Sequence, residues 1–338
     1  MHNYQKKMKQ KIPRYYLIFS IPLVSLITIL VCYFIFNNKI QAAVENTPPT
    51  EQNCSYVIKR LKGYTYIRPL VYIQSRCQSE SLFPVRDAVQ QLIDGYKQAG
   101  VLTSASVYLR VFGHGDWVCI NDTETYRPGS LLKVPELITF LRENELHPGL
   151  LDKMIKYDHI YQSNKSVVFT SKSIELGKSY SIRELLRFMI EYSDNNATIL
   201  LNNCMDANQF KKTFTDLGLK EPSMQASDYP VTSKDYSLFF EELYNAGYLT
   251  IEDSENAVEL LTKCNFKDGL MCGIPQDALI AHKFGEAGDN NIHELHEAAI
   301  IISGNKRYQI TVMTKGKDLK QLSDVIKNIS KIVYQKVK

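Results

Sequence analysis

Three patterns of apolar residues follow one another along the chain. The first is an unbroken run, YYLIFSIPLVSLITILVCYFIF (15–36), 22 positions without a charge. A run of that length can span a bilayer as a helix, and no face of it is polar, which argues against a core helix. The second pattern is strand-like. YTYIRPLVYI (64–73) predicts a short strand with Pro69 marking an edge, and SASVYLRVF and WVCIN, joined by the turn GHGD, predict a β-hairpin. DALIAHKFG, then EAAIIIS and YQITVMT joined by GNKR, supply three more strands, five with the hairpin. The third pattern is helical spacing: Val85, Val89, Leu92 and Tyr96 before a stop at Gly100, and Leu319, Leu322, Ile326, Ile329 and Val333 in the last element. Between the two strand groups, residues 130–270 read as almost wholly helical.

Strands, a long run of helices, then strands and a closing helix predict an α+β fold. One antiparallel five-stranded sheet is built from both ends of the chain and flanked by N- and C-terminal helices. An all-helical subdomain, about 130–270, is inserted, and one transmembrane helix precedes the whole. The expected divisions are a cytoplasmic N-terminus (1–14), a transmembrane signal-anchor (15–36), a linker (37–52) containing a Pro pair, and an extracytoplasmic domain (53–338).

Charge sets the orientation. Lys6, Lys7, Lys9, Lys11 and Arg14 precede the apolar run, and the twenty residues after it hold only Lys39, so the positive-inside rule leaves the N-terminus in the cytoplasm. A cleavable signal has a shorter apolar region, so an uncleaved anchor is expected. The net charge of +4 is scattered, with no basic stripe interleaved with aromatics beyond the N-terminus, so no nucleic-acid partner is expected. Outside the run, Cys54, Cys77, Cys119, Cys204, Cys264 and Cys272 would face an oxidising compartment. Cys54 with Cys77 and Cys264 with Cys272 are the pairs nearest in sequence, and spacing alone leaves the connectivity open. Nothing asks for a second copy, and a monomer is expected.

Candidate chemistry sits in three places. In YRPGSLLKVPELITFL, Ser130 stands at the start of a helix with Lys133 three residues on, sharing one face. A helix N-terminus offers unpaired N–H groups to an oxyanion, and a desolvated lysine can lose its proton and act as a base. In YSIRELLRFMIEYSDNNATILL a helix breaks at Ser193-Asp194-Asn195, which would hold a hydroxyl and an amide rigidly. Lys283 lies on the strand DALIAHKFG. HELHE, with His293, Glu294 and His296 near His282, has the wrong spacing for a helical H-E-x-x-H zinc site, and no metal is expected there. There is no phosphate loop and no G-x-G-x-x-G, so no cofactor is expected.

With these motifs in this order, the sequence resembles the penicillin-recognising serine hydrolases, above all the class A β-lactamases, which carry S-x-x-K, S-D-N and K-T-G. The resemblance extends to RPGSLLKVP, the S-I-x-E-L-L lead, GLMCGIPQD, AHK and the final helix SDVIKNISKIVY, from about residue 82 to the C-terminus. It implies Ser130 as acylated nucleophile, Lys133 as its proton acceptor and Ser193 as relay to the leaving nitrogen. Asn195 would hold Lys133 and the substrate amide. Lys283, with Gly285 beside it, would face the substrate carboxylate, and the N–H groups of Ser130 and Glu286 would form the oxyanion hole. The implied partner is a β-lactam or a D-Ala-D-Ala-type peptide, and the implied activity is C–N bond hydrolysis through an acyl-enzyme.

Two departures qualify that expectation. Class A enzymes place a deacylating glutamate between the second and third motifs; here the interval is short, and Glu221 in EPSMQ is the only echo of it. Phe284 occupies the position of the K-T-G hydroxyl residue. The alternatives are thus a D-Ala-D-Ala carboxypeptidase or penicillin-binding protein with slow deacylation, and a non-catalytic envelope module.

Overall fold

The computed structural model describes residues 30, 31, 33, 54–161, 169, 172–222, 229–289 and 291–337. The chain divides into two units, Met1–Cys54 and Ser55–Lys338. The apolar run 15–36 lies outside the described residues except for Leu30, Val31 and Tyr33, which are helical and exposed. No helix among the described residues is long and apolar enough to cross a membrane.

The second unit opens with a hairpin, β1 (Tyr56–Arg60) and β2 (Leu70–Ser75), followed by α1 (Phe83–Gln98). The main sheet follows with β3 (Leu102–Val111) and β4 (Trp117–Ile120), and is completed near the C-terminus by β7 (Leu279–Gly288), β8 (His293–Ser303) and β9 (Lys306–Gly316). Its order is β4-β3-β9-β8-β7, antiparallel throughout, so both chain ends build one sheet and β7 forms an edge. One core cluster joins this sheet to α1 and to α8 (Leu319–Lys336) through Val85, Val89, Ile93, Leu322, Ile326, Ile329 and Val333.

The inserted segment contains α2 (Lys133–Leu146), α3 (Ile182–Glu191), α4 (Asn195–Asn202), α5 (Ala207–Asp216), α6 (Ser233–Asn245) and α7 (Ile251–Thr262), and a second core cluster packs it against Ala281, Ala298, Ile300 and Met313 of the sheet. It is not all helical. A two-stranded ladder, β5 (Met154–Lys156) and β6 (Ser179–Ser181), closes ahead of α3. Three-residue strands are too short to show a period of two, so this ladder leaves no alternation to read.

Two other expectations change. YTYIRPLVYI is not one strand: its first half is the loop of the β1–β2 hairpin and only Leu70 onward pairs. On α1 the third buried position is Ile93, with Leu92 and Tyr96 half-buried. Cys54 and Cys77 are disulfide-bonded, whereas Cys264 and Cys272 are free thiols, one buried and one exposed.

Between α6 and the sheet lie Glu241 and Glu242, both buried, and Arg110 Nη2 is 3.4 Å from Glu241 Oε1. Burial, reinforced by the neighbouring Glu241, pushes the Glu242 carboxyl up to about 9. An acid with a raised folded pKa contributes its full stability below its unfolded value of about 4.5, and loses it as pH rises through the folded value. Glu242→Gln should therefore stabilise the domain by about 1–3 kcal/mol near pH 7–8 and by nothing near pH 4. Denaturant unfolding at the two pH values measures this; an equal effect at both would remove titration from the account.

Candidate active site

The site begins at a break in backbone regularity. Gly129 to Leu132 form a 3-10 turn that runs straight into α2, and in such a turn residues three apart eclipse each other, stacking Ser130 over Lys133. The turn requires Gly129: its φ is +53°, and a Cβ there would overlap the carbonyl oxygen of Glu286. Tyr236 of α6 donates its hydroxyl to Leu131 O at 2.8 Å, fixing the turn from below. Ser130 is half-buried and Lys133 buried.

The second piece is the junction of α3 and α4. Ser181 and Glu184 close a capping box at the start of α3, which gives that helix a fixed entry. It ends at Tyr192, and Ser193 follows with φ +52°, a left-handed conformation that a non-glycine residue adopts only when its surroundings impose it. Asp194 does so. Its side chain accepts from Ser173 Oγ (2.8 Å), Ile174 N (2.9 Å) and Asn196 N (3.0 Å), capping α4 and pinning the junction.

The third piece is β7, whose free edge runs along the Ser130 turn. Gly285 is as constrained as Gly129, since a Cβ on it would meet Pro128 O and the Leu131 backbone. The Glu286 carbonyl points at Gly129, and in a strand a residue's N–H and C=O share a side. The Glu286 backbone thus lies directly against the start of the Ser130 turn. Behind the edge, His282 Nδ1 lies 2.6 Å from Glu297 Oε1, and Glu297 Oε2 accepts from Leu270 N at 2.7 Å, tying β7 and β8 to the turn 269–273.

Two lysines from different elements meet on one hydroxyl. Lys133 Nζ donates to Ser193 O (2.6 Å), Asn195 Oδ1 (2.7 Å) and Ser193 Oγ (3.1 Å). Lys283 Nζ donates to Ser193 Oγ (3.0 Å) and to Phe284 O (3.0 Å). Burial drives Lys133 down to about 7, with the charge of Lys283 adding to the shift, and burial drives Lys283 down to about 8. One turn along α2, burial raises the Glu136 carboxyl, with Lys133 opposing. Near neutral pH Lys133 thus exists in part as a free amine. Together the geometry supplies a hydroxyl at a helix start, a lysine able to accept a proton, and a second hydroxyl held between two lysine nitrogens, with the edge of β7 alongside.

Ser130, Lys133, Ser193, Asn195, Lys283, Gly285 and Glu286 all come together here. Glu221 does not join them by any described contact. It is exposed and its Oε1 is 2.8 Å from Lys211 Nζ, an ion pair with the middle of α5. Phe284 turns inward, 9% exposed, stacked on Phe266 at 4.3 Å between centroids and edge-on to Phe169 at 5.9 Å. Its ring lies 4.3 Å from Lys283 Nζ, so an aromatic wall stands beside the cation. Sequence reading gave no role to Glu136, Asp194 or Gly129. Glu136, three residues beyond Lys133, was findable from helical spacing. The other two act through backbone geometry, which leaves no periodic signal. Of the HELHE residues, His296 Nε2 is 3.0 Å from Arg127 O, and Glu294 pairs with Arg127 at 3.2 Å.

The fold has counterparts among known proteins. The Beta-lactamase enzyme family matches residues 84–337. Among solved structures, the chain is similar to a mutant of PBP-A in an acyl-enzyme complex with penicillin G, at 20% identity and TM-score 0.63, over 75% of this chain and 96% of that one. It is similar to a class A β-lactamase from Mycobacterium abscessus at 20% identity and TM-score 0.62, over 74% and 98%. A β-lactamase from Chitinophaga pinensis gives 18% identity and TM-score 0.64, over 75% and 100%. No curated protein matches.

Proposed function

Since the chain belongs to the Beta-lactamase enzyme family, we propose that it is a serine acyl-transfer enzyme that opens a β-lactam or a related peptide amide through an ester on Ser130. The observation that carries the reading is the convergence of Lys133 and Lys283 on Ser193 Oγ beside the Ser130 turn. In this mechanism neutral Lys133, oriented by Asn195, takes the proton of Ser130 as its oxygen attacks the carbonyl carbon. The N–H groups of Ser130 and Glu286 hold the developing oxyanion. Ser193, polarised by Lys283, passes its proton to the departing nitrogen and takes in its place the one that Lys133 received from Ser130. Release of the acyl group by water needs a base on the far side, and Glu221 is engaged with Lys211 instead. Capture is therefore faster than release, the behaviour of a penicillin-binding protein more than of an efficient lactamase. We also assign the charge-free run 15–36 as the membrane anchor, with residues 53–338 outside, on the strength of the flanking lysines.

The direct test is labelling with a fluorescent penicillin and peptide mapping. The label is expected on the peptide containing Ser130 and absent from Ser130→Ala; a label that survives the substitution overturns the assignment.

The pH profile follows from the two lysines. Acylation needs Lys133 uncharged and Lys283 charged, so its rate should climb as pH rises through about 7 and fall above about 8. Lys283→Arg keeps its charge at every accessible pH and should abolish the alkaline fall. Stopped-flow acylation rates between about pH 5.5 and 9.5 test this, and a flat profile would contradict it.

A further inference from the structure

The hairpin β1–β2 lies outside residues 84–337, the span that the family matches. Its two faces differ sharply. The inner face is docked on the domain: Val71 and Leu61 enter the core, Gln74 Nε2 donates to Tyr108 Oη at 2.7 Å, and Lys59 Nζ donates to Thr215 O at 2.9 Å. The outer face is exposed among the described residues. Tyr56, Ile58 and Ile73 project from it, with Ile58 directly opposite Ile73, and the connecting loop adds Tyr64, Ile67 and Tyr66, the last 96% exposed. Monomeric domains rarely leave so many large apolar side chains contiguous.

Charge identifies the occupant. Residues 54–77 contain Lys59, Arg60, Lys62, Arg68 and Arg76 and no aspartate or glutamate. Arg60, Lys62, Arg68 and Arg76 are exposed, and none of them forms an ion pair among the described residues. Arg60 and Arg68 donate to loop carbonyls, which stiffens the tip without neutralising it. Tyrosine and isoleucine with unpaired cations form the side-chain set of a membrane interface carrying anionic headgroups. Position points the same way, because fewer than twenty residues of sequence separate the apolar run, which ends at Phe36, from the hairpin, which starts at Tyr56.

We propose that the outer face of the β1–β2 hairpin docks on an anionic lipid bilayer, laying the domain against the membrane that the apolar run enters. The rings and aliphatic side chains sit at headgroup depth and the cations meet lipid phosphates. The inner face meanwhile holds the hairpin rigidly to the domain, so docking also fixes the direction in which the Ser130 site opens. This rests on the anchor assignment for its geometry and is independent of the chemistry at Ser130.

Trp117 is buried and is the chain's one tryptophan, so Tyr66→Trp adds a second emitter at the tip. The full chain carrying it is placed in nanodiscs of brominated phosphatidylglycerol or brominated phosphatidylcholine. The added emission should be quenched in the anionic discs and not in the neutral ones. In Lys62→Gln and Arg76→Gln backgrounds, each removed charge should lower the docked fraction about fivefold. An unchanged thermal midpoint in those variants shows the fold is kept. Emission unquenched in anionic discs, or quenched equally in both lipids, overturns the proposal.

Discussion

Lys133→Ala should lower the rate of acylation by penicillin about 100- to 10,000-fold, the usual worth of a positioned general base. Lys133→Arg should do the same, and this equality is the informative part. Arginine keeps the charge and the reach but does not lose its proton, so a loss shared by both variants assigns the lysine to proton transfer rather than to electrostatics. The structure supplies the reason Lys133 can act so: full burial and a second lysine nearby bring it down to about 7. If Lys133→Arg acylates at the parent rate, the base lies elsewhere and the proton path through Ser193 must be redrawn.

Phe284→Thr should bind carboxylate-bearing β-lactams about 10- to 100-fold better than the parent, the worth of one charge-assisted hydrogen bond. In the parent, Lys283 is fully buried, its donors are directed to Ser193 Oγ and Phe284 O, and its remaining side is closed by the Phe284 ring. A substrate carboxylate finds no hydroxyl and an occupied cation. The parent should thus barely distinguish benzylpenicillin from its methyl ester, whereas Phe284→Thr should favour the free acid by that factor. The substitution also removes the stack on Phe266 and should cost about 3–5 kcal/mol of stability, seen as a lower thermal midpoint. Equal affinity for acid and ester in the variant would show that Phe284 does not stand in the carboxylate's place.

What the sequence disclosed follows from how each feature is encoded. The five strands and the closing helix were legible because their apolar residues repeat at two or at three to four positions, and each repeat maps to a buried face. Ser130, Lys133, Ser193, Asn195 and Lys283 were legible because a fixed chemistry needs those side chains at fixed local spacings. Their meeting point was not, since 60 residues separate Lys133 from Ser193 and 90 separate Ser193 from Lys283, and only tertiary packing closes those distances. Phe284 shows the limit best. Alternation alone left its direction open, and the rings of Phe266 and Phe169, distant in sequence, are what draw it inward. The β5–β6 ladder and the outer face of β1–β2 were missed for the opposite reason: one is too short to show a period, and the other exposes the residues that pattern reading assigns to a core.

The account stands on an ester at Ser130 that forms readily and breaks slowly. Intact-mass spectrometry after mixing with benzylpenicillin, continued after the free drug is removed, measures both halves. The predicted record is a single added penicilloyl mass that appears in the parent, persists long after removal, and never appears in Ser130→Ala. A parent protein that gains no mass and turns over no β-lactam would contradict it.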